Sequence, residues 1–133
     1  MIVLDTSVVA KWYKEESGSE DALQYKLGYV SGDLDIAVPD LIVYELANCI
    51  RFSPGSDKHD VTDVIGNFTD LGIDIVVPTL YLLDSASSLS YKHDVTVYDA
   101  VYLALAKAVG AELVTADRRF YERVKAEGGV RLL

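Results

Sequence analysis

With 133 residues, half of them hydrophobic (50%) and a quarter charged (25%), the chain suits a single domain spanning 1–133 with a real core; it is too short for two domains, and its composition is not that of a disordered segment. The formal net charge of -9 works against broad electrostatic attraction to nucleic acid, so any such contact has to be local. No apolar run reaches the roughly 18 residues of a membrane span; Cys49 is the single cysteine, and no basic leader precedes Asp5, so a cytoplasmic protein is expected.

Along the chain, short apolar runs alternate with segments of helical period. Ile2-Val-Leu4 reads as a buried strand ending at Asp5, and Thr6 to Lys14 and Ser19 to Val30 read as helices. A second strand, Ile36-Ala-Val38, runs into Pro39-Asp40, where Asp40 is placed to cap a helix reaching Phe52. The turn Ser53-Pro-Gly-Ser56 separates that helix from Asp57 to Leu71, and a third strand spans Ile73 to Val77. Pro78-Thr79 opens a helix to Lys92, and Val97 to Val109 forms the most apolar helix, stopped by Gly110. Strand Glu112 to Thr115, helix Arg118 to Glu127, the turn Gly128-Gly129 and strand Val130 to Leu133 complete the order. Non-alternating strands joined by helical crossovers predict a three-layer α/β/α sandwich around a mostly parallel sheet of about five strands.

Four carboxylates interrupt or border these apolar segments: Asp5, Glu45, Asp99 and Asp117. A buried unpaired charge costs several kcal/mol, so such groups neutralise, pair or bind a metal. Asp5 and Asp117 each follow a strand and sit where a helix begins, which suits an N-cap; the carboxyl ends of parallel strands are also where ligands bind. Glu45 projects within the apolar stripe of its helix, between Leu41 and Cys49, with no cation three or four residues away. Asp99 stands three residues after Thr96, in the spacing of a capping box, at the mouth of a helix that must be buried. All-carboxylate sites select hard cations, and no Cys/His spacing involving Cys49, His59 or His93 suits zinc. A magnesium or manganese site of this kind supports phosphodiester hydrolysis.

The segments Ile-Val-Leu-Asp5-Thr-Ser-Val, Pro-Asp-Leu-Ile-Val-Tyr-Glu45-Leu-Ala-Asn, Thr96-Val-Tyr-Asp99-Ala-Val-Tyr-Leu-Ala and Glu112-Leu-Val-Thr-Ala-Asp117-Arg-Arg-Phe resemble the successive motifs of the PIN-domain ribonucleases. In length the chain is similar to VapC, the toxin of type II toxin-antitoxin pairs. The resemblance implies Mg²⁺-dependent (or Mn²⁺-dependent) cleavage of RNA, a homodimer and a small antitoxin that blocks the pocket. It also implies Asp5 and Asp99 as principal metal ligands, Glu45 and Asp117 completing the acidic pocket, and Thr6 and Thr115 supporting it by hydrogen bonds. A housekeeping PIN-domain nuclease and a PIN-like binding module without catalysis are the alternatives. Lys11, Lys14, Arg118, Arg119 and Arg123 follow the two strand ends that carry Asp5 and Asp117, and a basic rim built from them would answer the acidity of the chain.

Overall fold

Five strands form one sheet in the computed structural model, which describes residues 1–133: β1 (Ile2–Leu4), β2 (Ile36–Pro39), β3 (Asp74–Val76), β4 (Glu112–Thr115) and β5 (Val130–Leu132). Their order is β3-β2-β1-β4-β5, and every neighbouring pair is parallel. The helices are α1 (Thr6–Val9), α2 (Ser19–Val30), α3 (Leu41–Arg51), α4 (Lys58–Asp70), α5 (Leu80–His93), α6 (Val97–Val109) and α7 (Arg118–Val124). This is the expected α/β/α architecture, with a fully parallel sheet of five strands. Crossovers carry the chain from β1 through β2 to β3 on one side, then back past β1 to β4 and β5 on the other. The point of reversal lies between β1 and β4. In open parallel sheets that is where the connections diverge and a crevice opens at the carboxyl ends of the strands.

Burial follows from the sequence pattern. All four residues of β2 are buried, as are Val3 and Leu4 of β1 and Leu113 to Thr115 of β4. Helix α6 buries seven successive residues, Ala100 to Ala106, and packs against α5 as well as β1, β2 and β4. Its apolar character on all sides is the cause: every face meets another element. Because α6 runs back along the sheet into β4, its first turn, with Asp99, lies at the same sheet edge as the ends of β1 and β4.

Local punctuation departs from expectation in three places. Thr6 to Lys14 is a short α-helix continued by a 3-10 turn over Ala10–Trp12, so the helix stops early. Asp40 occupies the N-cap position of α3 but makes no side-chain cap bond, because its own backbone is already helical (φ -60, ψ -23). The last turn of Arg118 to Glu127 is also 3-10. Asp57 and Asp60, by contrast, make a complete capping box at α4. Thr79 and Gly110 act as anticipated, the first accepting from Leu82 N–H and the second taking the left-handed conformation at φ 66.

One ionic cluster ties the second helical layer together. Glu127 accepts from Lys92 Nζ at 2.6 Å, from His93 Nε2 at 2.7 Å and from Lys107 Nζ, joining the ends of α5 and α6 to the turn after α7. These donors, Lys107 first, hold the Glu127 carboxyl down at about 2. His93, which stands in a polar stretch of sequence, thus has a structural role.

Candidate active site

Asp5 is the first residue beyond β1, and its N–H donates to Val114 O at 3.0 Å, so it stays level with the end of β4. Although it stands at the N-cap of α1, its side chain makes no cap bond. Both nearby hydroxyls converge on one carboxylate oxygen instead: Ser7 Oγ donates to Oδ2 at 2.9 Å and Thr115 Oγ1 donates to the same atom at 2.7 Å. Those hydroxyls accept in turn from the Ala116 and Asp117 N–H groups at 2.9 and 3.1 Å, so their protons are directed at Asp5. The other oxygen, Oδ1, has no side-chain donor. Burial pushes the Asp5 carboxyl above its usual range despite these hydrogen bonds, and the charge of Asp117 adds to the effect.

Glu45 is held in the same manner. On the second turn of α3, its Oε1 accepts from the Tyr102 hydroxyl at 2.6 Å, and Thr6 Oγ1 lies 3.1 Å from the same atom and 2.7 Å from the Tyr102 oxygen. It forms no ion pair with an arginine or lysine. Burial raises the Glu45 carboxyl, with Asp5 and Asp99 contributing repulsion. Burial likewise raises the Tyr102 phenol, which therefore stays protonated and donates.

Asp99 lies in the first turn of α6, where its N–H donates to Thr96 Oγ1 at 3.0 Å; the reciprocal bond of a full capping box is absent. Its carboxyl is raised by burial and then by the charges of Asp5 and Asp117. Asp117 caps α7 through a bond from Phe120 N–H to Oδ1 at 3.0 Å and borders the same cleft. The structure thus brings all four acids to the β1/β4 reversal, close enough for mutual repulsion. None of them forms an ion pair, while seven ion pairs occur elsewhere.

Two residues of the site went unread in the sequence. Ser7 looks like an ordinary polar residue at a helix start, and Tyr102 is one of nine tyrosines. The available signals were spacing: Ser7 is two residues beyond Asp5, and Tyr102 is three beyond Asp99, on the same face of α6.

The suggested basic rim is only partly present. A cleft of about 360 Å³ is lined by Asp94, Thr96, Asp99, Asp117, Arg119 and Arg123 among others, so two of the five cations share a cleft with Asp99 and Asp117. Lys11 is bound instead by Glu16 at 3.2 Å and Ser17 O at 2.7 Å, and Lys14 points to Cys49 Sγ at 3.3 Å. The 3-10 turn after α1 directs both lysines to other partners.

The donor set suits a hard divalent cation. It consists of carboxylates that repel one another and form no ion pair, and each of Asp5 and Glu45 keeps one oxygen free of side-chain donors. No three His, Cys, Asp or Glu side chains are gathered into a direct ligand cage. A hard divalent cation held here would therefore keep several of its waters and use one or two of the carboxylates directly.

A parallel α/β/α sheet with an acidic crevice at its reversal point defines a class, and the comparisons name it. The family model described as PIN domain matches residues 2–126, and the chain belongs to the PIN-domain family. Within that family its sequence likeness is to VapC: it is 33% identical over 129 residues to Ribonuclease VapC3 of Pyrobaculum aerophilum, covering 94% of this chain and 95% of that one. The fold is shared with a toxin-antitoxin complex from Klebsiella pneumoniae (TM-score 0.72, 15% identity, 98% of this chain and 96% of that chain). It is also shared with VapC20 of Mycobacterium tuberculosis, a sarcin-ricin loop cleaving toxin (TM-score 0.72, 17% identity, 96% and 95%).

Thr115 offers a specific test of how Asp5 is held. Thr115→Val keeps the shape but removes both the donor to Asp5 and the acceptor for Asp117 N–H, at an expected cost of about 1–2 kcal/mol. With one hydroxyl fewer to stabilise its anion, Asp5 should titrate higher, moving the acid limb of the pH–activity profile upward. An unmoved acid limb would mean that Asp5 does not depend on Thr115.

Proposed function

We infer that this protein is a metal-dependent endoribonuclease that hydrolyses RNA phosphodiester bonds, and that it is the toxin of a type II toxin-antitoxin pair. The observation that carries the reading is the convergence of Asp5, Glu45, Asp99 and Asp117 at one sheet edge without a single pairing cation. The 33% identity to a VapC ribonuclease supports the same chemistry. Asp5 and Asp99 would hold Mg²⁺ or Mn²⁺, with Glu45 and Asp117 completing the pocket. Such an ion supplies charge stabilisation to a phosphodiester undergoing displacement and lowers the pKa of a bound water.

The chain's own residues supply orientation and proton handling. Ser7 and Thr115 lock the Asp5 carboxylate in one rotation, and Tyr102 with Thr6 does so for Glu45. Glu45 Oε2, free of side-chain donors and on a carboxyl that burial raises above its usual range, is the acceptor available to orient and deprotonate the attacking water. The test is cleavage of an RNA oligonucleotide by the wild-type protein with Mg²⁺ or Mn²⁺, against an EDTA control. Robust cleavage in EDTA would overturn the mechanism.

No helix is long and apolar enough to cross a membrane, which is compatible with action on RNA in the cytoplasm. A small antitoxin protein covering the pocket is the expected partner, as the toxin-antitoxin complex sharing this fold suggests. The other expected partner is a second copy. Leu80 and Tyr81 at the start of α5 are 86% and 76% exposed, beside an apolar groove lined by Pro39, Leu82, Val97, Tyr98 and Val101. Sedimentation equilibrium should report a dimer for wild type and a monomer for Leu80→Glu. A wild-type monomer, or a variant of unchanged mass, rules out this face.

A further inference from the structure

The protein carries twelve lysines and arginines against twenty-one acids, yet an RNA substrate is a polyanion. Most of the cations are committed elsewhere. Lys11, Lys92, Lys107, Lys125 and Arg131 are ion-paired with glutamates. Lys26 lies over the Trp12 and Tyr13 rings, and Arg51 over Phe52. Only Arg119 and Arg123 line the cleft that holds Asp99 and Asp117.

These two differ in a way that defines a seat for an anion. Arg119 is exposed and forms no ion pair. Arg123, four residues on and therefore on the same face of α7, is braced: its Nη1 donates to Asp94 O at 2.6 Å and to Asp94 Oδ2 at 3.2 Å. Asp94 is the only non-glycine residue with positive φ, at 52, and this left-handed turn between α5 and α6 aims both its acceptors at one guanidinium nitrogen. Holding Arg123 by one nitrogen leaves the rest of its donor fork for a ligand, and a guanidinium fork matches phosphate oxygens.

We propose that Arg119 and Arg123, the latter positioned by Asp94, bind a backbone phosphate flanking the scissile bond, and are the local contact by which this acidic chain holds single-stranded RNA. The proposal rests on the nuclease reading above and deepens it.

The test uses the Asp5→Asn background, so that RNA survives, and fluorescence anisotropy with a labelled single-stranded RNA oligonucleotide across a salt series. Arg119→Ala and Arg123→Ala should each weaken binding about tenfold, the worth of one charge-assisted hydrogen bond. The double variant Arg119→Ala/Arg123→Ala should also lower the slope of log K against log salt by about 0.7, the share of the one phosphate the pair contacts on a single strand. Arg119→Lys and Arg123→Lys should keep the slope while losing part of the affinity. Lys58→Ala, a cation outside the cleft, should change neither quantity. Melting curves on every variant separate a lost contact from a lost fold, and the lysine variants preserve the test if an alanine variant unfolds. Affinity and slope unchanged in both arginine positions, or an equal loss in Lys58→Ala, overturn the proposal. Wild-type cleavage is measured in parallel, so a failed nuclease reading shows as absent cleavage and a failed arginine assignment as unaltered binding.

Discussion

Asp5→Asn is expected to reduce metal-dependent RNA cleavage by about a thousandfold while leaving the fold intact. Asparagine has the same shape as aspartate, and its amide oxygen can accept from Ser7 and Thr115 as Oδ2 does now. What disappears is the charge and the second acceptor oxygen. Structural damage would show as a lower melting temperature, which this substitution should not produce in the absence of metal. If cleavage stayed within tenfold of wild type, the principal role given to Asp5 would be wrong.

Asp99→Asn should make the metal-free protein more stable at neutral pH, by about 1 kcal/mol, or roughly 3 °C in melting temperature. The cause is the cost of the site itself. Burial raises the carboxyls of Asp5, Glu45 and Asp99 above their ordinary values of 3.8, 4.5 and 3.8, and repulsion among the acids adds to each shift. Between those values and the raised folded ones, the native state binds more protons than the unfolded state, so stability falls as pH rises. The stabilising protons are fully in place below the unfolded values and are lost as pH climbs through the folded ones. Glu127 acts in the opposite sense: its lowered carboxyl stabilises the fold above about 4.5 and loses that effect as pH falls toward 2. Subtracting wild-type from variant melting curves at each pH cancels the Glu127 contribution, which both proteins share. The gain in Asp99→Asn should grow as pH rises from the ordinary aspartate value of 3.8 through the raised folded one. Mg²⁺ should raise the melting temperature of wild type at neutral pH more than that of the variant, because the ion relieves the same repulsion. A variant less stable than wild type at pH 7 without metal would contradict this account of the site.

The carboxylates differ in how visible they were. Glu45 stood out because a glutamate inside an apolar helical stripe with no cation in reach has few inexpensive explanations. Asp117 is both a helix cap and a member of the pocket, so either reading alone was incomplete. Asp5 looks like a cap and makes no side-chain cap bond; its Oδ2 takes the hydroxyls of Ser7 and Thr115 instead.

The α/β class and the order of strands and helices were legible in the sequence, as was the placing of four acids at the edges of apolar segments. Apolar period, turn residues and an isolated buried charge are local properties, readable within a few residues of one another. Contacts between remote segments settle which acid Thr6 and Thr115 each support, add Ser7 and Tyr102 to them, and set which cations reach the cleft. The β1/β4 register, pairing Leu4 with Val114, is what sets Thr115 against Asp5 across 110 residues of chain. The inward face of α6 brings Tyr102 to Glu45, and the left-handed turn at Asp94 turns Arg123 into the cleft. A 3-10 turn after α1 removes Lys11 and Lys14 from it. Those outcomes depend on distances between segments remote in sequence, which periodicity and spacing do not encode.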